Sequence, residues 1–277
     1  MRKIILFLVA FVLSMATCSQ TAGKRAQGAS AGSGGVPFET KRSTFFADGK
    51  LDEYTLSSWD AAYSNVIAEE RYSASGGMIE QIEFVYDDGK GLITSKITRD
   101  VESRIKNRVA YQHNPQGNLW RENYVDKNGK IVSTLEFTYD NRGNRISKII
   151  KNRAGDKLAE TVYTYDASQK LTNSLTRDYA ENAISSTKYS YDSSGNIVRE
   201  EVMNGEGKIT SITTYTWQNG REVRNVLANA DGKEQLRISS EYGEDGELTR
   251  KVIENFQGDS KQAVVYEYIF RPARRQG

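Results

Sequence analysis

An aromatic residue placed just before a turn recurs along the chain at intervals of about 26 residues. Glycine-containing turn sequences recur every 12 to 14 residues, so they divide each period into two halves. A half-period of this length has room for one short strand and one turn, and the repeat therefore predicts a series of β-hairpins. The recurring aromatics are Tyr86, Tyr111, Tyr139, Tyr165, Tyr191, Trp217, Tyr242 and Tyr268.

The turn sequences support hairpins independently of the spacing. Pairs of Asp or Asn with glycine supply the positive φ values that tight hairpin turns require. Where the period places a turn without glycine, near Ser103, Gln169 and Asn182, we expect longer loops or bulges. The Asx-Gly pairs are Asp88-Gly89, Asn128-Gly129, Asn219-Gly220, Asp231-Gly232 and Asp245-Gly246.

Alternation of apolar and polar residues between the turns is typical of strands. In TLEFTYD, Leu135, Phe137 and Tyr139 fall on one face and the polar residues between them fall on the other. One strand per turn between Thr40 and Phe270 gives about 18 short strands. Because strand twist accumulates, so wide a sheet must twist, curl or close. We therefore predict an all-β fold of antiparallel hairpins, forming a long twisted or curled sheet that is able to close into a barrel-like shell.

Composition excludes several classes of protein. The 38 basic and 36 acidic side chains are interspersed, so no basic stripe indicates a nucleic-acid partner. A hydrophobic share of 38% and a mean hydropathy of -0.63 are low for a compact core. The chain is therefore expected to form a thin or elongated fold.

The start of the chain has the pattern of an export sequence. Positive charge at Arg2 and Lys3 precedes the apolar run Ile4 to Leu13 and a region of small residues, which is typical of a signal peptide. We assign residues 1–17 to the signal peptide and the Gly-, Ser- and Ala-rich residues 18–39 to a flexible tether. The hairpin repeat then occupies residues 40–270, and residues 271–277 form a basic tail.

The sequence around Cys18, the only cysteine, resembles the lipobox of a bacterial lipoprotein. Met15, Ala16 and Thr17 precede it, and Met15 and Thr17 depart from the usual Leu and the usual Gly or Ala. The resemblance implies a fatty-acylated Cys18 that anchors an exported protein to a membrane of the cell envelope, at the outer membrane or cell surface. The alternative is plain secretion after cleavage near Ala16, with Cys18 left as a free thiol.

The motifs YDNRGN and YDSSGN, with the degenerate YDDGKG and YDASQK, resemble the YD repeats of the RHS family of bacterial surface and toxin proteins. That resemblance covers most of Phe84 to Phe270 and implies a spiralling ribbon of β-hairpins, which in the family often forms a hollow shell around a toxin. This chain is far too short to enclose a cargo, and it ends in RPARRQG where the family continues. An encapsulating role is therefore not expected.

No catalytic constellation, cofactor or metal site is predicted. His113 is the only histidine, and Cys18 lies in the expected anchor, so His-based triads and cysteine nucleophiles are excluded. Asp140, Asp166 and Asp192 follow the repeated tyrosine, where an aspartate is expected to bond nearby backbone amides of the turn. A paired-carboxylate site and calcium at acidic turns remain as alternatives.

Two functional hypotheses follow. The first is a non-enzymatic envelope lipoprotein whose repeat domain binds a glycan, peptide or protein or acts as a scaffold. The alternative is an envelope biogenesis or transport component such as an outer-membrane β-barrel, although charged residues near the middle of the return strands favour a sheet that faces water. The candidate binding surface is Tyr139, Tyr165, Tyr191, Trp217 and Tyr242.

We expect Cys18→Ala to abolish acylation and to release the protein from membranes. The acyl chain needs the cysteine sulfur as its attachment site, and each buried methylene contributes about 0.8 kcal/mol to membrane binding. Labelling of cells with a clickable palmitate, followed by membrane fractionation, measures both effects. Absence of label in the wild-type protein would refute the anchor.

Overall fold

Eighteen antiparallel strands joined by turns make up residues 35–271, the part of the chain that the computed structural model describes. The strand number and the all-β class agree with the sequence prediction. The expected signal peptide, Cys18 and most of the expected tether lie outside the described residues. The strands are β1 Val36–Phe46, β2 Leu51–Trp59, β3 Val66–Ser73, β4 Met78–Tyr86, β5 Ile93–Arg99, β6 Ile105–His113, β7 Leu119–Asp126, β8 Ile131–Tyr139, β9 Arg145–Asn152, β10 Lys157–Tyr165, β11 Leu171–Asp178, β12 Ala183–Tyr191, β13 Ile197–Asn204, β14 Ile209–Gln218, β15 Arg221–Asn229, β16 Glu234–Tyr242, β17 Leu248–Asn255 and β18 Ser260–Arg271.

The first and last strands close the sheet into a barrel. Each strand pairs with its sequence neighbours, and β1 pairs with both β2 and β18. Val36 lies opposite Arg271, so the barrel begins four residues before the expected start at 40 and ends one residue after the expected end at 270. The bounds of the barrel differ from the expected ones because these terminal residues pair with each other and so close the sheet, which leaves it without edges.

The YDxxGN motif builds a three-residue hairpin loop with a bulge. In the β8–β9 turn, the amide of Gly143 donates to the carbonyl of Asp140, and the amide of Asp140 donates to the carbonyl of Asn144. The Asp140 carboxylate accepts from the amides of Arg142 and Asn144 and from the Asn144 side chain, at 2.8 to 2.9 Å. Gly143 has a φ of +85°, the left-handed conformation that such a loop requires at this position. The aspartate, the glycine and the final asparagine of the motif thus each have a role in the turn.

The turns without glycine keep the same construction, so the expected bulges are found and the expected longer loops are not. Ser103, Gln169 and Glu181 occupy the position of the glycine with φ values of 62°, 64° and 65°. Each donates its amide to the carbonyl three residues earlier, as Gly143 does. Hydrogen bonds within the repeat therefore impose the left-handed conformation on residues that do not favour it.

Of the Asx-Gly pairs, Asn219-Gly220 forms the two-residue turn that the sequence suggested. Gln218 pairs directly with Arg221, and Asn219 and Gly220 have φ values of 51° and 72°. Asn128-Gly129 instead occupies the last two positions of a three-residue loop with a bulge.

Strand register determines which face lines the barrel interior. Phe137 lies opposite Lys148, and Lys148 lies opposite Thr161, which is two residues before Tyr163, the equivalent of Phe137 in the next hairpin. Successive hairpins are therefore staggered by two residues, and with right-handed strand tilt this stagger directs Phe137 and its face-mates inward. Burial agrees, because Leu135 and Phe137 are only 5% and 6% exposed. The aromatic face predicted from the alternation is the inner face.

The interior is open and has no dry core. Strand contacts run only between ladder neighbours in residues 35–271, and no large side chain there is fully buried. An 18-stranded barrel is wide enough to leave an aqueous lumen. Backbone pairing therefore holds the wall together, and sealed apolar packing contributes little. In the same residues, no helix is long and apolar enough to cross a bilayer.

Rows of ion pairs cross the outer face. Glu136 on β8 accepts hydrogen bonds from Arg121 on β7 and Lys151 on β9, each at 2.7 Å. Glu254 on β17 pairs with Arg237 on β16 at 3.6 Å and with Lys261 on β18 at 3.2 Å. These groups alternate with the inward-facing residues, so the outer wall carries charge at mid-height around Glu136 and beside the β17–β18 turn around Glu254.

Gly143→Ala should lower the free energy of unfolding by about 1 kcal/mol, because alanine is strained at positive φ. A Cβ at Gly143 would meet nothing within 4 Å, so the loss would report backbone strain alone. Gly89→Ala is the matched control, since its added Cβ also meets nothing and its φ lies outside the left-handed region. Urea unfolding of both variants measures the difference, and equal stabilities would contradict this turn assignment.

Candidate functional site: the lumen wall

One ring of aromatic side chains ties neighbouring hairpins together at one end of the barrel. In each case the side-chain donor lies 2.6 to 2.9 Å from the backbone carbonyl of the residue 20 positions earlier. Tyr139 on β8, for example, donates to Leu119, the first residue of β7. We call these the pin residues, and the rim formed by the turns after even-numbered strands the pin rim. The pin residues are Trp59, Tyr86, Tyr139, Tyr165, Tyr191, Trp217, Tyr242 and Tyr268.

All five residues predicted as a binding surface belong to this ring. Tyr139, Tyr165, Tyr191, Trp217 and Tyr242 lie on the inner face near the pin rim, and each uses its polar tip for the backbone bond. The structure therefore gives them a structural role, and only their ring faces remain available to a ligand.

His113, rather than Tyr111, occupies the equivalent position in its hairpin. His113 lies opposite Leu119 at the bulge of its turn, as Tyr139 lies opposite Arg145. The aromatic series predicted from the sequence therefore named Tyr111, two residues before the true equivalent. Tyr111 was chosen because it fits the spacing of the repeat nearly as well as His113 does. Burial lowers the pKa of His113, and the charge of Asp87 opposes this shift.

A second aromatic layer lies two residues before the pins, deeper in the lumen; the sequence placed its residues on the aromatic face but they were not predicted as a binding surface. Its signal was present as the repeated aromatic-x-aromatic strand ends FTY, YTY, YSY, YTW and YEY. Burial raises the pKa of the phenol of Tyr163, Tyr189, Tyr215 and Tyr266. We call these residues the lumen layer: Phe84, Tyr111, Phe137, Tyr163, Tyr189, Tyr215 and Tyr266.

Carboxylates accompany the lumen layer on one side of the barrel. The Tyr215 hydroxyl donates to Glu200 at 3.0 Å, and the Tyr189 hydroxyl lies 3.5 Å from the Ser174 hydroxyl. Burial raises the pKa of the Glu200 carboxyl, and the negative charge of Glu222 raises it further, while the Tyr215 bond opposes both. This sector of β11 to β15 therefore presents aromatic faces beside partly desolvated hydrogen-bond acceptors.

Basic groups accompany the layer on β9. The guanidinium of Arg145 lies 4.4 Å from the ring centroid of Phe137 and 6.0 Å from that of Tyr139. Burial lowers the pKa of the Lys148 ammonium, and the nearby charge of Arg145 lowers it further. The carboxylate of Glu122 counteracts that shift. The donors Arg145 and Lys148 thus lie beside the acceptor Glu122 on the same aromatic wall.

A cavity of about 650 Å³ opens at the pin rim between the turns at 114–118 and 140–144. Trp120, Phe137 and Tyr139 supply its aromatic lining, and Asn114 and Arg142 supply polar groups. The lumen layer is therefore reachable from this end.

No group of three or more His, Cys, Asp or Glu side chains in residues 35–271 could hold a metal ion. The aspartates of the YD motif cap their turns instead. Asp140 and Asp192 both accept hydrogen bonds from the asparagine four residues later.

Comparison with known proteins identifies neighbours in fold alone. No family model and no curated protein sequence matches the chain. A porin-like protein from Bacteroides uniformis is similar at a TM-score of 0.44 and 10% identity, over 83% of this chain and 97% of that one. A porin-like protein from Bacteroides vulgatus gives 0.38 and 10%, over 86% and 100%.

The structure titled TcdB2-TccC3-Cdc42 is similar at a TM-score of 0.36 and 13% identity, and the match covers 84% of this chain but 16% of that chain. These scores are too low to carry a functional inference. The chain is a closed β-barrel, and porin-like proteins and a TcdB2-TccC3 complex are among its structural neighbours.

Tyr139→Phe should reduce the free energy of unfolding by about 1 to 3 kcal/mol, because the Leu119 carbonyl at the bulge loses its donor. Tyr179→Phe is the control, since Tyr179 is 75% exposed in a turn at the other end of the barrel. Thermal unfolding followed by circular dichroism measures both. If the two variants are equally stable, the pin bond contributes nothing.

Proposed function

We propose that this protein is an exported β-barrel of the cell envelope, anchored through Cys18, whose lumen binds a glycan. The observation that carries the proposal is the lumen layer. It places Tyr163 on β10, Tyr189 on β12 and Tyr215 on β14, and the acceptor Glu200 lies between the last two on β13. Glycans present apolar ring faces edged by hydroxyl groups. A wall that alternates aromatic faces with hydrogen-bonding groups offers partners for both.

Each sector of the lumen would contribute differently to binding. Tyr163 and Tyr189 offer ring faces, and their desolvated surroundings strengthen any hydrogen bond made beside them. Glu200 accepts from ligand hydroxyls, while Arg145 and Lys148 donate to ligand oxygens. No reaction is assigned, because binding alone accounts for these groups.

The outer wall favours an aqueous setting at its mid-height. Arg121, Glu136 and Lys151 form one continuous ion-paired row there. A Lys or Arg at the midplane of a bilayer costs about 2 to 4 kcal/mol. A barrel held beside the membrane by a lipid anchor avoids that cost, and this supports the anchored arrangement over a membrane-spanning channel.

Calorimetric titration with hexasaccharides of glucose and of N-acetylglucosamine tests the proposal. We expect Tyr189→Ala to weaken binding by about tenfold or more, the equivalent of about 1.4 kcal/mol from one lost aromatic face. Tyr179→Ala, in a turn outside the lumen, should bind like the wild-type chain.

Two results would overturn the proposal. One is the absence of glycan binding, or binding that Tyr189→Ala leaves unchanged. The other is solute leakage from vesicles that contain the wild-type chain, which would identify the barrel as a membrane channel.

A further inference from the structure

One position of the repeat places a ring of polar and charged side chains around the lumen. On each odd-numbered strand it is the inward-facing residue that lies directly opposite the level of the lumen layer, two residues before the pin position. Nine strands contribute one residue each. We call this set the charge ring. In order around the barrel, its members are Arg42, Glu69, Lys96, Glu122, Lys148, Ser174, Glu200, Asn225 and Lys251.

The sign of the charge alternates along the first five members of the ring. Arg42 lies 3.5 Å from Glu69, the next member, so long side chains can meet across the strand between them. Burial raises the pKa of the Glu122 carboxyl, and the positive charge of Lys148, the member that follows it, opposes that shift. Each carboxylate in this part of the ring therefore has a cation on either side of it.

Glu200 lacks this arrangement. Its neighbours in the ring are Ser174 and Asn225, which carry no charge. Within residues 35–271 it forms no ion pair. The nearest cations of the ring, Lys148 and Lys251, lie four strands away on either side, which is roughly 19 Å across the sheet. A partly buried carboxylate without a counter-charge is costly, so the ring has a gap where a cation is missing.

No basic side chain from β11 to β15 fills this gap. Lys208 lies in the turn after β13. Arg221 and Lys170 lie at the pin rim, against the rings of Tyr242 and Tyr191. The remaining basic residues of these strands alternate with the inward-facing residues and are therefore on the outer face. They are Arg177, Lys188, Arg199 and Arg224.

Aromatic rings flank Glu200 on the two neighbouring strands. Tyr189 lies directly opposite it on β12, and the Tyr215 hydroxyl on β14 donates to it at 3.0 Å. Burial raises the pKa of both phenols, and the charge of Glu200 adds to the shift, so both tyrosines stay neutral. A carboxylate between neutral aromatic side chains suits an organic cation, which gains both charge attraction and cation–π contact.

We propose that the lumen binds a glycan that carries amino groups, with one sugar ammonium seated beside Glu200 in the gap of the charge ring. This inference rests on the proposed glycan-binding function and names the class of glycan. An amino sugar brings the missing positive charge, a ring face for Tyr189, and hydroxyl groups for Ser174 and Thr213. A metal ion suits the gap less well, because no group of three or more His, Cys, Asp or Glu in residues 35–271 could hold one.

Two hexasaccharides that differ only in their amino groups test the inference. The hexamer of glucosamine is cationic in mildly acidic buffer, whereas the hexamer of N-acetylglucosamine is neutral. Calorimetric titration in about 0.15 M salt screens attraction beyond about 8 Å, so that only close contacts distinguish the two. We expect the wild-type chain to bind the glucosamine hexamer about tenfold more tightly, or better.

Three variants locate the effect. Glu200→Gln keeps the size of the side chain and removes its charge, so it should reduce the preference to about twofold or less. Glu201→Gln is the matched control and should keep the preference, because Glu201 is the next residue of β13, faces outward and pairs with Arg199 at 2.8 Å. Ser174→Lys supplies a cation within the ring, at the position equivalent to Lys148, and should remove the preference as Glu200→Gln does.

The outcomes separate this inference from the proposed function. If the N-acetylglucosamine hexamer binds and Tyr189→Ala weakens it, but the glucosamine hexamer binds no more tightly, the amino-glycan inference fails and the glycan-binding function stands. If no hexasaccharide binds, both fail. Equal loss of preference in Glu200→Gln and Glu201→Gln would assign the effect to net charge. Hexalysine that binds as tightly as the glucosamine hexamer would identify the site as one for cationic peptides, which also overturns the inference.

Discussion

The pairing of β1 with β18 is the interaction on which the rest of the structure depends. A sheet with an aqueous lumen gains little from sealed apolar packing, so its stability rests on satisfied backbone hydrogen bonds and on the groups that hold the ladder in register. Closure gives each terminal strand a second pairing partner and leaves no edge for another chain to extend. The bulge between Glu39 and Lys41 adjusts the register at the seam, where the first strand must meet the last.

The pin residues resolve a local problem that the turns create. A bulge beside each three-residue loop interrupts the ladder, and a carbonyl at the start of the following strand needs another donor. A tyrosine hydroxyl or tryptophan indole from the next hairpin supplies it, as Tyr139 does for Leu119 and Trp217 does for Ile197. One side chain thus satisfies a backbone group and fixes the stagger between hairpins, which explains why an aromatic with a polar tip recurs at this place.

Much of this architecture could be predicted from the sequence, because a repeat expresses the same physical requirement many times. Strand number, turn positions and the aromatic face follow from periodicity. The sequence allowed that face to be either the interior packing of a curled sheet or an open binding surface, because the choice depends on the direction of stagger across the closed sheet. The left-handed conformation of Gln169 could not be predicted either. Hydrogen bonds of the hairpin hold this residue at positive φ, which glutamine does not favour on its own.

The candidate site, too, could be predicted from the sequence only in part. The sequence drew attention to the residue before each turn, where the motif is strongest, and those residues are committed to the pins. The lumen layer carries a weaker signal, and its partners are distant in sequence, as Glu200 is from Tyr215. His113 illustrates the limit of spacing alone, since a tyrosine two residues away obscured its equivalence to Tyr139.

The uniform stagger of two residues per hairpin has a consequence for how such a barrel could evolve. Because each unit of about 26 residues brings two strands, two turns and the same stagger, the number of units sets the width of the barrel. Duplication of one unit would widen the tube while every new junction reused an existing one. A change in copy number alone would therefore change the width of the lumen.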